Sequence, residues 1–455
     1  GVYTILETTG CAVCNEEARK LLADAGCTVD GENVKVPRKT LQWAIEVAPK
    51  EFTLYNRTGE PSVELKPGSV NFGPAITSVK TLDYDNESAR PGTMQDAENA
   101  GLLIDSLDHI GWASTLGSIF DRPDGNCADL YEVQALLHNT RKPIMYWSSG
   151  VPHLEVELQM FEAISGSLEA FQEKPFGIAL CCPMDPLKHS PEGLAQLIWL
   201  ARHRMPVTYI AGISFGSTGP ITLAGSIAVG VADTLVGLLI SQLACEGAPF
   251  VVSKMSDNVN MKTTTPTHSR PEAPAANMAS ADVFNYLGLP FLLNLGDTGC
   301  GQFDEVAAFD IAVQLIYARR CGSNMNLSPG GFDAGFISSP IALLYCEQVL
   351  SFLDVLDADV PIDDENLALD SIDHVGPGGV FLMEEATMMN FRDFWEPPFL
   401  PSRNHDEWEQ DGRRGCYDIL VEKARQIIAA GPQHPLPDDV KAKVDAIVAA
   451  AEKAE

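Results

Sequence analysis

The hydrophobic pattern from residue 70 onward alternates short apolar runs with longer stretches of helical spacing. Residues 205–253 show it most clearly: an apolar run at 207–213, a loop of small residues, a helical stretch at 221–245, and a second apolar run at 249–253. A short, continuously apolar run followed by helical periodicity is typical of a buried parallel strand and the helix that covers it. The pattern therefore predicts a series of strand–helix units.

Eight such units follow one another along the chain. The predicted strand–helix pairs are 70–74 with 93–107, 110–116 with 127–139, 143–149 with 153–165, 176–182 with 191–203, 207–213 with 221–245, 249–253 with 270–287, 290–295 with 304–320, and 324–327 with 337–356. Eight consecutive units with short connections favour an α/β fold of the (β/α)₈ TIM barrel type, because helices then cover the outside of every strand. An open doubly wound sheet is the alternative if the first strand is absent.

Two extensions are predicted to flank a barrel of residues 70–357. Residues 1–69 form an N-terminal α+β extension, with helices over 15–24 and 38–48 and two short strands. Residues 358–455 form a C-terminal helical and aromatic extension that packs on the barrel or on a second subunit. Its aromatic residues are expected to form that docking surface; they are Phe391, Phe394, Trp395 and Phe399.

Charge and cysteine content narrow the class of partner. The chain has 455 residues, with 31 Lys plus Arg against 62 Asp plus Glu, for a formal net charge of −31. So acidic a protein is a poor partner for nucleic acid or an anionic membrane. Eleven cysteines, an odd number, are scattered along the chain and favour a reducing, cytoplasmic location. The uncharged tract 205–232 is long enough to span a membrane, but its glycines and the nearby Asp233 favour a buried helix instead.

Candidate functional residues are those that follow the predicted strands, because a TIM barrel has its active site at the carboxyl ends of its strands. Aromatic and small hydroxyl side chains dominate there, and basic ones are few. Trp147 and Phe215 are predicted to present ring faces to a permanently cationic ligand, with core packing as the alternative. His268 and Arg270 either bind an anionic group of the substrate or begin the next helix. Asp297 and Ser328 complete the predicted lining.

Five segments in the same order resemble the trimethylamine methyltransferase superfamily. They are VKVPRKTLQWAIEVAPKEFTLYNR at 34–57, VNFGPAI at 70–76, RPGTMQDAENAGLLIDSLDHI at 90–110, STGPITLAGSIAVGVADTLVGLLISQLACEGAPFVV at 217–252, and HVGPGGVFLMEEATMMNFRDFWEPPFL at 374–400. Members of this family move a methyl group from a methylamine to the cobalt of a corrinoid protein. The resemblance covers nearly the whole chain and implies a barrel with its site at the strand ends.

The resemblance also bears on the substrate. Family members that use trimethylamine carry pyrrolysine in a loop after the strand that corresponds here to 290–295, whereas this chain has Gly-Asp-Thr-Gly-Cys at 296–300. Members without pyrrolysine resemble enzymes for quaternary amines such as glycine betaine, carnitine or proline betaine. The chain also departs from the family at Ser328 and Pro329, and at Ala386, where many relatives are expected to carry histidine.

The implied activity is therefore transfer of a methyl group from a quaternary amine to the Co(I) of a partner corrinoid protein, as part of one-carbon metabolism. The methylcobalamin-type corrinoid belongs to the partner, so this chain is expected to bind no cofactor or metal of its own. It is also expected to be a homo-oligomer. Two alternatives remain: a binding protein for quaternary amines without catalysis, and a methyltransferase for a tertiary or secondary methylamine, which needs an added acid to protonate the leaving amine.

Overall fold

The fold is taken from a computed structural model, which describes residues 1–83, 87–122 and 127–454. The N-terminal part contains three helices and five short strands, with a π-helical turn at Ile5–Thr9. They are α1 Val2–Thr4, β1 Cys11–Val13, α2 Glu16–Asp24, β2 Thr28–Asp30, β3 Asn33–Lys35, α3 Arg38–Val47, β4 Phe52–Tyr55 and β5 Pro61–Leu65. The side chain of Asn15 begins α2 by accepting a hydrogen bond from the backbone N–H of Ala18, at 3.0 Å.

The next part leads into the central sheet. It contains β6 Lys80–Leu82, β7 Ala89–Arg90, α4 Met94–Asp105 and α5 Ala128–Asn139. Thr93 begins α4 with a capping box, in which its side chain accepts from the N–H of Asp96 and the Asp96 carboxylate accepts from the N–H of Thr93. The predicted helices over 93–107 and 127–139 are both present, with slightly shorter bounds. Residue 126, just before the second of them, lies outside the described residues.

Strands and helices then alternate through the centre of the chain. In order they are β8 Ile144–Tyr146, α6 Val151–Ser165, α7 Leu168–Glu173, β9 Gly177–Cys181, β10 Lys188–His189, α8 Pro191–Arg202, β11 Val207–Ser214, α9 Leu223–Ala244, β12 Phe250–Asn260, β13 Thr265–Thr267, α10 Glu272–Leu287, β14 Phe291–Asn294, α11 Glu305–Arg320 and β15 Met325–Leu327. Strand β10 lies in the connection between β9 and α8, and it pairs with β1. This connection therefore joins the N-terminal strands to the central part of the chain.

Six of these strands form one parallel sheet, in the order β15-β14-β12-β11-β9-β8. One face of the sheet, which we call the inner face, carries a buried apolar cluster with one or more side chains from each strand: Met145, Ile178, Ile210, Val251, Leu292, Met325 and Leu327. The other, outer face is covered by helices; the Tyr209 ring, for example, lies against Gly237 of α9. The α/β class is thus confirmed, with a curled sheet of parallel strands.

The first two predicted strands are reduced to isolated bridges. Phe72 makes one parallel bridge to Ile110 and one to Asn326, and Ala113 makes one to Ile144. Regular strands over 70–74 and 110–116 are therefore wrong. The ring of Trp112 fills the space directly over Gly73, and Pro74 has no N–H to donate, so a continuous ladder cannot form there.

The sixth strand is longer than the predicted 249–253. Strand β12 continues past residue 253 to Asn260, since it pairs with the whole of β11 as far as Ser214 opposite Asp257. It then turns back and pairs with β13, with Asn258 opposite Thr267. The polar residues of 254–260 hide this extension in the sequence, because pairing with β11 and β13, not hydrophobicity, makes them a strand.

Helix α9 is the element that passes the length test for a membrane span. By length and composition it is apolar enough to cross a membrane, but 72% of its most apolar window is buried inside the protein. It packs on β11, β12 and α8, and α3 of the N-terminal part covers it from outside. This is the environment of a core helix.

The C-terminal part begins with a short sheet and one long helix. Its elements are β16 Gly331–Phe332, β17 Ile337–Ser338, α12 Pro340–Asp357, α13 Asp364–Leu367, α14 Leu369–Val375, α15 Glu385–Asn390, α16 His405–Gln410, α17 Cys416–Ala430 and α18 Asp438–Glu452, with 3₁₀ turns at Asp333–Gly335 and Phe381–Met383. Helix α17 packs on α12 and α4, and α18 packs on α5 and α6. Between α12 and α16, most side chains of residues 358–394, a segment that we call the arm, are exposed.

Candidate functional site

The β12–β13 hairpin brings a buried, charged histidine to the carboxyl edge of the sheet. Because Asn258 lies opposite Thr267, the residues that precede and follow them, Asp257 and His268, also meet. His268 Nε2 lies 2.7 Å from Asp257 Oδ1, and Nδ1 lies 2.5 Å from Asp297 Oδ2. One imidazole therefore joins the end of β12 to the loop after β14.

This arrangement holds His268 in its charged form. Burial by itself lowers the pKa of His268, but the charge of Asp297 and the hydrogen bonds to both carboxylates outweigh it and raise the pKa well above its usual range. A doubly protonated ring donates one N–H to each carboxylate. Two aspartates and one imidazolium leave a net negative charge at this edge.

Asp257 is the member of this group that is open to a ligand. In β12 it follows Met255 by two residues, and Met255 packs against the inner apolar cluster, so alternation directs Asp257 to the inner face. Its side chain is 23% exposed, whereas that of Asp297 is 2% exposed. Oδ2 of Asp257 has one hydrogen-bond donor among the described residues, the Ser214 hydroxyl at 3.4 Å. That oxygen has spare capacity to accept a hydrogen bond or to face a cation.

Trp147 also lies at the inner face. It follows Met145 of the inner apolar cluster by two residues, and with Met145 and Ile76 it lines a small cavity that also contacts Glu132. The indole N–H donates to Glu132 Oε2 at 2.8 Å. Burial raises the pKa of Glu132 to about 7, although hydrogen bonds from Ile119, Trp147 and Thr115 oppose the shift. The indole is thus fixed by a carboxyl group that titrates near neutrality.

Phe215 lies on the other side of the sheet. Its ring is buried against Ala273 and Ala276 of α10, on the outer face. The Lys254 ammonium lies 5.7 Å from the ring centroid, and Lys254 itself is fully buried and donates to the Ser256 hydroxyl. Burial lowers the pKa of Lys254 to about 7. The ring that was expected to meet a substrate cation therefore contacts a cation of the protein.

Of the remaining predicted residues, one is exposed and one is part of a turn. Arg270 is exposed just before α10, and its carbonyl accepts from Asn258. Ser328 is buried with a φ of 125°, a conformation disfavoured for residues with a side chain. Its hydroxyl donates to Asn294 and its carbonyl accepts from Gly331 at 2.8 Å. Gly331 in turn packs on Asp297, so the Ser328 turn supports the loop that carries Asp297.

A second acidic pair lies beside Asp257, and the sequence analysis did not identify it. Asp185, after β9, accepts from the N–H of Gly212 at 2.7 Å, and the buried Asp233 of α9 accepts from the N–H of Leu187 at 3.1 Å. Burial, and then the charge of Asp185, raise the pKa of Asp233 to about 8.

Sequence signals for these missed residues are few. Val259 and the threonines that follow Asn260 favour β structure on both sides of a turn, which is a hairpin signal. Such a hairpin would have placed Asp257 near His268. For Asp185, Asp233 and Glu132, no local pattern distinguishes a buried carboxyl group from a solvated one. In residues 1–83, 87–122 and 127–454, no group of three or more His, Cys, Asp or Glu side chains is arranged to hold a metal ion.

Comparison with known proteins gives matches along the whole chain. The family described as "Trimethylamine methyltransferase (MTTB)" matches residues 1–455. A glycine betaine methyltransferase of Desulfitobacterium hafniense (strain Y51) is 26% identical over 448 residues, which cover 98% of this chain and 93% of the relative. The trimethylamine methyltransferase MttB of D. hafniense (strain DSM 10664 / DCB-2) is 24% identical over 450 residues, covering 98% and 90%. Among solved structures, the monomethylamine methyltransferase of Methanosarcina barkeri is 11% identical, covers 93% of this chain and 97% of its own, and has a TM-score of 0.48.

Proposed function

Because this chain belongs to the trimethylamine methyltransferase family, a family of methyltransferases, we propose that it moves a methyl group from a quaternary amine to the Co(I) of a partner corrinoid protein. The observation that carries the proposal is the negative charge at the carboxyl edge of the inner face, where Asp257 is partly exposed beside Asp185. A permanently cationic substrate is attracted to such an edge without any proton transfer.

The chemistry of a quaternary amine makes few demands on this chain. The electron pair of Co(I) forms the new carbon–cobalt bond, the carbon–nitrogen bond breaks, and its electrons leave on a neutral tertiary amine. No acid or base is needed at the leaving group. The tasks of the protein are to hold the N-methyl group in line with the acceptor and to exclude water. Trp147 is suited to both, since its indole is fixed by Glu132 at the inner face.

We extend the proposal to the barrel itself. The parallel sheet of β15, β14, β12, β11, β9 and β8 has two ends, and the segments around Phe72 and Ile110–Ala113 run between those ends through single parallel bridges. These bridges support a closed (β/α)₈ barrel in which the two segments take the first two strand positions. The substrate would then enter a ring of strand ends, and the acceptor would approach from the same side.

The corrinoid is the acceptor substrate of this reaction, and a cognate protein in the cytoplasm carries it. Exposed apolar side chains on loops after β9, β11 and β12 support docking of that protein over the carboxyl edge; they are Met184, Ile221 and Met261. Each follows a strand of the parallel sheet, at the end of the sheet where Asp257 lies. Isolated exposed apolar residues are common, but several on one rim are typical of a contact surface.

The test is methyl transfer to a reduced corrinoid protein from a panel of amines, followed by loss of the Co(I) absorption. We expect at least one quaternary amine to react and trimethylamine to remain at background, because residues 296–300 contain no pyrrolysine. If trimethylamine were the best donor, the quaternary class would be wrong. If no quaternary amine reacted with any corrinoid protein, methyl transfer from that class would be rejected.

A second candidate function is demethylation of a tertiary amine, and the Asp185–Asp233 pair favours it. The raised pKa of Asp233 keeps on this carboxyl group a proton of the kind needed to protonate an amine before its carbon–nitrogen bond breaks. Substitution of Asp233 by Asn separates the two functions. A tertiary amine substrate would lose most of its turnover in D233N, whereas turnover of a quaternary substrate would not depend on that proton.

A further inference from the structure

We propose that Glu132 is a positioning residue that couples substrate binding to the release of a proton. As a cation binds over the Trp147 ring, the Glu132 carboxyl group loses its proton to the solvent, and the resulting carboxylate holds the indole by its N–H. This role rests on the proposed function for the existence of a cationic substrate, and it adds a pH dependence to the recognition of that substrate. It concerns binding alone, so it stands or falls separately from methyl transfer.

Glu132 of α5 receives hydrogen bonds from three different segments, although it is only 4% exposed. The Trp147 indole N–H donates to Oε2 at 2.8 Å, the Thr115 hydroxyl donates to the same oxygen at 3.3 Å, and the backbone N–H of Ile119 donates to Oε1 at 3.0 Å. Three donors suit a carboxylate, which only accepts. The protonated form also fits, because the Thr115 hydroxyl can rotate and accept. Both ionisation states are therefore compatible with the same position of the indole.

Trp147 connects the ionisation of Glu132 to the inner face. The residue directly follows β8 and is partly exposed, while its ring nitrogen is bound to Glu132. A cation over an aromatic ring lies within about 6 Å of the ring centroid. Its attraction to a carboxylate at the edge of the same ring lowers the pKa of that carboxyl group by about one unit or more. The carboxylate also polarises the indole through the shared hydrogen bond, which strengthens the contact between ring and cation.

The carboxyl group of Glu132 is partly protonated before a ligand binds. Burial raises its pKa to about 7, and the charge of Asp129 adds to the shift, while hydrogen bonds from the protein oppose it. Near neutral pH the free protein therefore carries about half a proton at this position. A cation that lowers the pKa displaces part of that proton, and binding tightens as the pH rises.

The neighbouring ionisable groups are in different situations. Asp129, three residues earlier in α5, is fully buried and hydrogen-bonded to His153 of α6, at 2.8 Å. Glu157 of α6 is fully buried, and burial together with the charge of Asp129 raises its pKa well above its usual range, so it stays neutral. Charged groups on the remaining elements around α5 are paired with other residues; they are Asp96 of α4 with Arg90, Asp445 and Glu452 of α18 with Gln134 and Tyr131, and Arg122 with the Tyr131 ring.

A small cavity gives the proton of Glu132 a way out. Glu132, Asp129 and Trp147 line a space of about 10 Å³, which has room for a single water molecule. A water in that space would bridge the two carboxyl groups. Asp129 is bonded in turn to His153, whose side chain is 10% exposed. The same groups return the proton when the cation leaves.

The first test uses the unmodified protein. Binding of glycine betaine, carnitine and choline is measured by calorimetry between pH 6 and pH 8, in pairs of buffers that differ in ionisation enthalpy. The control is 3,3-dimethyl-1-butanol, the uncharged carbon analogue of choline. For an ammonium compound that binds, we expect release of roughly 0.4 of a proton at pH 7 and about fivefold tighter binding at pH 8 than at pH 6, the result of lowering a pKa of about 7 by one unit.

Three outcomes of this test would overturn the inference. They are binding of a cation without net proton release, equal proton release by the uncharged analogue, and absence of binding by all three ammonium compounds. Because the comparison is made within one protein, none of them depends on a variant that folds.

Variants then assign the proton to a residue. Glu132→Gln keeps an oxygen that can accept from the indole N–H but has no proton to release. It should weaken binding of the cation by about tenfold at pH 8 and by no more than about twofold at pH 6, so that the pH dependence disappears. Glu155→Gln, at an exposed position of α6, is the matched control and should retain the wild-type profile. Wild-type proton release in a folded E132Q, checked by circular dichroism, would place the proton on another group and overturn the assignment.

The indole of Trp147 provides a second readout that a purely structural role of Glu132 would not change. Its ¹⁵N–H resonance, identified by its loss in Trp147→Phe, should shift with pH in the free wild-type protein, with a midpoint near 7. A bound cation should lower that midpoint by about one unit. An indole signal that does not titrate between pH 5 and pH 9 would contradict the coupling, whether or not E132Q folds.

The two proposals fail differently. Methyl transfer from a quaternary amine whose binding releases no proton leaves the proposed function intact and overturns the role of Glu132. Proton-linked binding of a quaternary amine that depends on Glu132, without methyl transfer to any corrinoid protein, supports the role of Glu132 and rejects the proposed reaction.

Discussion

At the scale of single residues, the two aromatic candidates have different environments although both follow apolar runs. Trp147 belongs to the inner face and is held by Glu132, whereas Phe215 is buried against α10. One residue of offset along a strand turns a side chain to the opposite face. The chemical type of a residue at a strand end therefore does not decide its role. What decides it is whether alternation along the strand turns the side chain to the inner or to the outer face.

Substitution of Trp147 and Phe215 by Ala should separate these roles. We expect Trp147→Ala to weaken binding of a confirmed substrate by roughly 1 to 2 kcal/mol, the size of a desolvated cation–ring contact. Phe215→Ala should instead lower the free energy of unfolding by roughly 3 to 5 kcal/mol, because it leaves a cavity in a packed layer. Calorimetry and urea unfolding measure the two effects. Unchanged stability of F215A together with weakened binding would return Phe215 to the substrate site.

Lys254 provides a second residue-scale prediction, because it is a lysine without solvent exposure. Its pKa is lowered from 10.5 to about 7, so the unfolded chain binds more protons between those values and stability rises with pH across that window. Lys254→Met should remove this dependence and stabilise the protein at pH 7 by on the order of 4 kcal/mol. Unfolding in urea at several pH values is the measurement, with Lys80→Met, at an exposed site, as the control. Loss of stability in K254M at pH 7 would contradict the prediction.

At the scale of elements, the β12–β13 hairpin brings the residues of the candidate site together. Strand β12 continues beyond the central sheet because β11 continues beside it to Ser214, and the return strand then carries His268 back to Asp257. The imidazolium also reaches Asp297, so one ring ties the hairpin to the loop after β14. The hairpin should therefore lose order when this ring loses its charge.

The pH dependence of the hairpin follows from the raised pKa of His268. A folded pKa above the unfolded value of about 6.5 means that the stabilisation is complete below pH 6.5 and is lost as pH rises through the folded pKa. His268→Gln should destabilise the protein most near pH 6, by roughly 3 to 5 kcal/mol for a broken buried ion pair. Hydrogen exchange of residues 254–268 in both proteins is the measurement. Equal protection in wild type and H268Q near pH 6 would show that the ring does not hold the hairpin.

At the scale of the whole molecule, apolar exposure is concentrated in the arm. Twenty-six large hydrophobic side chains are exposed among the described residues, and thirteen of them lie between residues 360 and 394. Helices α13 and α14 belong to this arm and have no buried residue. Such a surface is larger than a monomer normally exposes to water. It supports a homo-oligomer in which the arm contacts a second copy, with the aromatic residues of 391–399 at its base.

Oligomeric state is therefore the whole-molecule prediction. Light scattering at micromolar concentration should give a species larger than the 49.1 kDa chain. Phe391→Asp combined with Phe394→Asp should shift it toward the monomer, because each places a charge in a buried interface. Phe309→Asp makes the same change on α11, outside the arm, and should have no effect. A monodisperse monomer of wild type would contradict the role of the arm.

The sequence by itself determined the parts that depend on local periodicity. Six of the eight predicted strands and all eight paired helices exist, with shifted bounds, because continuous apolar runs and helical spacing are local signals. The family match over residues 1–455 also confirms the resemblance that the five segments indicated. His268 and Asp297 were selected from their position after strands, and they are in contact.

Tertiary structure alone decided which face each candidate occupies and which charges meet. The partners of His268 lie 11 and 29 residues away along the chain, and burial together with the charge of the distant Asp185 raises the pKa of Asp233. Residues 254–260 form a strand only because β11 pairs with 254–257 and β13 pairs with 258–260. Long-range pairing and desolvation act between distant segments, so no local pattern encodes them. The charged groups of the carboxyl edge meet only when the strands lie side by side.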